Sequence, residues 1–214
     1  MRRDEALERL GEIQRIAERT TLYTLLPGYA AIVGGMLIFI GCGVSYGMIR
    51  SVDFAQLMGF STGYRSFFVG IWVVIGAMAI LQELIFANRD AKRQGIALFG
   101  RPGKLSAYSL TPNIIIAIVL SIQLFNDANG ENAGQSVRYI APIWMMCYGT
   151  GVYAAGLFSV RLPRLLGLGF IFMGVIGLLF FARYGLLLVA LSFGLMHIVF
   201  GMAVLRKIKR NQES

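Results

Sequence analysis

Charge is scarce in this chain: Asp, Glu, Lys and Arg make up 14% of its 214 residues, where a soluble domain carries about a quarter. There is one histidine, and there are two cysteines and five prolines. A single histidine excludes a bis-histidine haem, an H-E-x-x-H zinc site and any multi-histidine metal centre. Cys42 and Cys147 both lie inside long apolar runs, where a thiol acts as a small apolar filler and makes neither a metal knuckle nor a secreted disulfide scaffold. The chain also lacks a G-x-x-x-x-G-K-[ST] phosphate loop, a G-x-S-x-G nucleophile elbow and an N-x-[ST] sequon. Ser192 precedes His197 by five residues, a spacing that does not by itself pair a nucleophile with a base. No catalytic residue, metal site or cofactor is expected.

What is present is apolar length: 57% of residues are hydrophobic and the mean hydropathy is +0.67. A membrane-crossing helix needs about 20 such residues to span a hydrocarbon core of roughly 30 Å. Six segments meet or approach this length: 26–49, 67–87, 105–126, 139–160, 165–182 and 184–205. The last two are parted only by Arg183, and as one helix from Leu165 to Leu205 they would run about 60 Å, twice the hydrocarbon thickness. A hairpin turning at Arg183, Tyr184 and Gly185 is therefore expected. Segment 105–126 contains Pro112 and Asn113 and admits two geometries. Either the helix starts at Leu105 and kinks at Pro112, or Thr111 caps a short helix of about 22 Å; the first is favoured because the second is short for a bilayer.

Lys and Arg set the orientation, because short loops rich in them stay cytoplasmic. The N-terminal arm, residues 1–25, carries Arg2, Arg3, Arg9, Arg15 and Arg19. The loop after the second segment carries Arg89, Lys92, Arg93, Arg101 and Lys104; the turn after the fourth carries Arg161 and Arg164; the tail 206–214 carries Arg206, Lys207, Lys209 and Arg210. Only Arg50, Arg65, Arg138 and Arg183 fall on the opposite side. The expectation is an all-α, polytopic transmembrane bundle of six spans, 26–205, with both termini cytoplasmic. Its net charge of +9 is a topology signal and requires no nucleic-acid partner. Arg89, Lys92, Arg93, Lys207 and Lys209 are placed to meet anionic lipid headgroups.

The arm bears Ala6, Leu10, Ile13, Ala17, Thr20 and Thr24 at spacings of four and three, one apolar stripe on a helix. It suits an amphipathic helix on the bilayer surface or against the cytoplasmic loops, ahead of a dimerising coiled coil, for which it offers too few heptads. No cleavable signal peptide is expected, since five acidic residues accompany the five basic ones before the first apolar run.

Ionisable groups inside lipid are costly, so each one is a functional candidate. Glu83 is the single acid within a span and His197 the single histidine. Counted from the inner ends of their spans, their depths differ by roughly 6 Å. They are candidates for a proton-linked pair, with Tyr148 and Gln123 as polar partners. The plainer roles are a Glu83 that meets Arg89, Lys92 or headgroups, and a His197 bonded to helix backbone or to Tyr148. Small residues recur at seven-residue spacing, as in Gly28, Gly35 and Cys42, in Gly167 and Gly174, and in Gly194 and Gly201, with Gly43 and Gly47 forming a further face. Such faces allow close helix contact within the bundle, with a second copy or with another membrane protein. Trp144 and Tyr139 suit an interfacial aromatic belt.

The run Pro142, Trp144, Tyr148, Gly149, then Ala155, Gly156, Ser159, Arg161, then Leu166, Gly167, and finally Phe193, Gly194, His197 and Gly201 resembles an uncharacterised group of bacterial multi-pass membrane proteins with a charged N-terminal arm. The resemblance implies the bacterial cytoplasmic (inner) membrane and carries over no activity or site residue. The leading expectation is a non-enzymatic regulatory or accessory component acting through helix contacts; the alternative is a small transporter or ligand-binding protein using Glu83 and His197.

Overall fold

The computed structural model describes residues 9, 11, 27–93, 101–126, 134–157 and 161–213. The amphipathic stripe of the arm and the greater part of two loops, 94–100 and 127–133, lie outside them. The protein is all-helical, with 95% helix and no strand among the described residues. Its helices are α1 (Gly28–Ile49), α2 (Thr62–Arg93), α3 (Arg101–Asn126), α4 (Ile140–Leu157), α5 (Arg161–Ile176), α6 (Gly185–Val189) and α7 (His197–Glu213). Five helical stretches are long and apolar enough to cross a membrane, the last of them the 50-residue run Arg161–Arg210.

That last run is not straight. A π-helical turn Gly177–Phe181 and a 3-10 turn Ala182–Tyr184 follow α5, and Phe181 (φ −126°, ψ 19°) and Tyr184 (φ −99°, ψ 35°) leave helical geometry. The chain then doubles back, because the rings of Phe170 and Phe193 lie 4.8 Å apart, whereas a straight helix would separate them by about 34 Å. After the turn, α6 continues through a second π-helical stretch, Ala190–Met196, into α7.

Helix α3 starts at Arg101 and holds Pro112 in its interior. Proline lacks the N–H that the Tyr108 carbonyl would otherwise accept, and hydroxyl and amide side chains gather at this turn. The Ser109 hydroxyl donates to the Leu105 carbonyl at 2.9 Å, and the Asn113 amide to the Ser109 carbonyl at 2.8 Å.

Close glycine contacts set the packing. A methyl at Gly35 would lie 2.6 Å from the Gly194 carbonyl oxygen, and one at Gly28 would lie 2.8 Å from that of Gly201, so α1 runs antiparallel to α7. Gly167 and Gly149 make the same contact between α5 and α4, and Gly174 meets Met146 one step further along. The seven-residue glycine repeats are thus used for contacts within the chain, while Gly43 and Gly47 meet nothing. Helices α1, α4, α5 and α7 form the centre; α2 packs chiefly on α1, and α3 on α4. Gly28 of α1 meets Leu205 of α7, so the start of the first helix and the end of the last share one end of the bundle.

Two clusters fill the interior. At the end away from the termini, Cys42, Ile49, Phe54, Leu57, Val137, Leu186 and Val189 are buried together; toward the termini, Met145, Val152, Leu166, Phe170, Phe200 and Val204 form the second. The Trp144 indole N–H donates to Ser121 Oγ at 2.8 Å, which ties α4 to α3.

Candidate functional site

The registers of the helices decide which polar groups share a level. On α1 the level is Gly34 and Gly35. The Gln82 amide of α2 packs on Gly34 and donates to the Ala30 carbonyl at 3.1 Å, which brings Glu83 to this level. Gly35 meets Gly194 and Ile198 from the other side, which brings His197 there too. Across the centre, Tyr148 of α4 stands against Phe170 of α5 with ring centroids 4.9 Å apart. Pro112 and Asn113 of α3 complete the layer, as fixed by the contacts of Gly151 with Leu110 and of Trp144 with Ser121.

His197 is 9% exposed and Ser192, one turn before it, is 0% exposed. The intervening π-helical stretch widens the turn ahead of the imidazole, and the Ser192 hydroxyl is bonded back to the Leu188 carbonyl at 2.7 Å. The phenol oxygen of Tyr148 lies 2.8 Å from His197 Nε2. Tyr148 and His197 share this hydrogen bond, and which of them donates follows the imidazole tautomer. Nδ1 is buried without a hydrogen-bond partner among the described residues. The rings of Phe170 and Phe193 close over this pair at centroid distances of 4.9 to 6.2 Å.

Glu83 is half-buried on α2, next to Gln82. Tyr148 and His197 are therefore joined directly, and Glu83 stands at the same level on α2. Arg89 and Lys92, the cations considered as partners of Glu83, are solvent-exposed. Gln123 stands apart. It lies on the exposed side of α3, about 15 Å along the axis from Asn113, because the Ser121 contact fixes α3 with Gln123 near its far end.

Sequence reasoning missed Gln82, whose Oε1 is buried without a hydrogen bond beside the same layer. Its signal was present, an amide next to the only intramembrane acid. Arg164 was assigned to topology alone, yet its side chain packs over Gly156 and its Nε is buried without a partner. Among the described residues no group of three His, Cys, Asp or Glu side chains is arranged to hold a metal ion. Both cysteines are free thiols.

No protein-family model, no curated protein and no solved structure matches this chain. The site's own geometry is what bears on function.

Proposed function

We propose that the chain is a six-span protein of the bacterial cytoplasmic membrane, with both termini inside, and that it binds and moves a small polar solute through Glu83, Tyr148 and His197. The reversal at Phe181–Tyr184 supports counting the run Arg161–Arg210 as two spans. The bias of Lys and Arg toward the end that carries the termini supports the orientation.

The transport reading is carried by the Glu83–Tyr148–His197 layer. A half-buried carboxylate within a span favours a counter-charge or a proton, and at its level the bundle holds a phenol hydrogen-bonded to an imidazole. Such a set favours a solute that brings a positive charge or an exchangeable proton. The test is to purify the protein, screen small cations and protonatable solutes for thermal stabilisation, and measure uptake of each hit in vesicles. Loss of binding and uptake in Glu83→Gln and His197→Ala supports the reading. Unchanged binding and flux in both variants overturns it.

A second reading, an accessory component docking other membrane proteins, draws on α2 and α3, which each rest chiefly on one neighbour and leave broad apolar sides outward. A partner that co-purifies in fixed ratio with the wild type and equally with Glu83→Gln favours this reading.

A further inference from the structure

The end of the bundle away from the termini is sealed by three connections that meet at one point. The α1–α2 connection holds the 3-10 helix Phe54–Gly59, the α3–α4 connection holds the 3-10 helix Ser136–Tyr139, and the third is the reversal before α6. Asp53 organises the first, its carboxylate accepting from Ala55 N–H at 2.9 Å as a cap. The same carboxylate receives Arg138 in a forked bond, with Nη2 at 2.7 Å and Nε at 2.9 Å and 3.1 Å. The third connection is joined by Leu186 N–H donating to the Val52 carbonyl at 3.0 Å, and by Phe54 packed on Gly185. Gly134, at φ +97°, lets its chain approach the Ala55 carbonyl, where a side chain would be strained. Leu57 and Val137, 0% and 1% exposed, fill the middle of the seal.

The ion pair links two parts of the bundle that touch little elsewhere. Helix α2, which carries Glu83, packs chiefly on α1, and α3 packs chiefly on α4, which carries Tyr148. We infer that Asp53 and Arg138 are a positioning pair: their bond locks the α1–α2 connection to the α3–α4 connection, closes this end over the Glu83–Tyr148–His197 layer, and on release opens the layer to that side of the membrane. Its meaning rests on the transport reading, but its test reads closure and not flux, so either can fail without the other.

Cys42 is a native reporter for the closure. It is 7% exposed beneath the seal, with its thiol 3.7 Å from the Leu186 carbonyl that it faces. With Cys147 replaced by alanine it is the only thiol. A membrane-impermeant maleimide is applied separately to right-side-out and inside-out vesicles. In the otherwise unaltered protein Cys42 is expected to stay protected from both sides. In Asp53→Asn, which keeps the cap and loses the charge, and in Arg138→Gln, labelling is expected to rise roughly tenfold from one side only, the factor that loss of one charge-assisted hydrogen bond gives an opening equilibrium. Trp144→Phe, which breaks the α3–α4 bond away from the seal, is expected to leave Cys42 protected. The inference is overturned if the two charge variants stay protected, if they label equally from both sides, or if the Trp144→Phe control labels as fast as they do.

Discussion

Tyr148→Phe removes one oxygen atom and leaves His197 Nε2 buried with no partner. An unsatisfied buried polar atom costs about 1–3 kcal/mol, so this variant is expected to lose that much stability in a denaturation series. Removing both partners together, as in Tyr148→Phe with His197→Leu, is expected to cost less than the two single losses added, because no orphaned atom remains. An additive double mutant would show that the 2.8 Å contact is not an energetic pair. Much of this cluster is readable in the amino-acid sequence, since an acid, an imidazole and a tyrosine stand out against apolar neighbours. Their common level is less readable. Counting inward from the expected end at Ala87 gives Glu83 and His197 different depths, whereas α2 continues to Arg93 and the contacts of Gln82 and Gly35 bring both to the same turn of α1. Depth is fixed by which turns interlock, and hydropathy alone carries no register.

Between helices, glycine is informative only when its neighbour is known. Gly167 and Gly43 look alike in sequence, each within an apolar run. A methyl on Gly167 would lie 2.5 Å from the Tyr153 backbone nitrogen, and backbone cannot step aside, so Gly167→Ala is expected to destabilise by about 1–3 kcal/mol. At Gly43 nothing lies within 4 Å, and alanine there is expected to be neutral or stabilising by up to about 1 kcal/mol through helix propensity. Melting temperatures of the two variants in one detergent decide the matter: equal values would mean that the α4–α5 contact has room for a methyl group. The heptad spacing of Gly28 with Gly35, and of Gly194 with Gly201, marked a close-packing face correctly in kind, but the partner was open. The structure pairs these two faces with each other. The Asp53–Arg138 bond was not legible, because residues 85 apart in loops show no periodicity that would join them.

For the whole molecule, the number of crossings and the direction of the chain are one question. If Arg161–Arg210 crossed once, the chain would have five spans and its ends would face opposite sides; the reversal at Phe181–Tyr184 supports an even count. The charge distribution is the independent check, since Arg50, Arg65, Arg138 and Arg183 all fall at the end that holds Asp53, while Arg89, Lys92, Arg161, Arg164, Arg206, Lys207, Lys209 and Arg210 fall toward the other. Single cysteines introduced into a thiol-free background at Arg50 and Arg183 are therefore expected to react with an impermeant maleimide in intact cells. Those placed at Arg89 and Lys209 are expected to react only in inside-out vesicles. Positions 183 and 209 are the decisive ones, because the placement of both depends on whether the last helical run turns back. Labelling of a Lys209→Cys variant in intact cells, with Arg183→Cys protected from both sides, would remove the sixth span and the shared side of the termini together. It would leave the Tyr148–His197 bond to be explained without a hairpin, which the 4.8 Å contact of Phe170 with Phe193 does not allow.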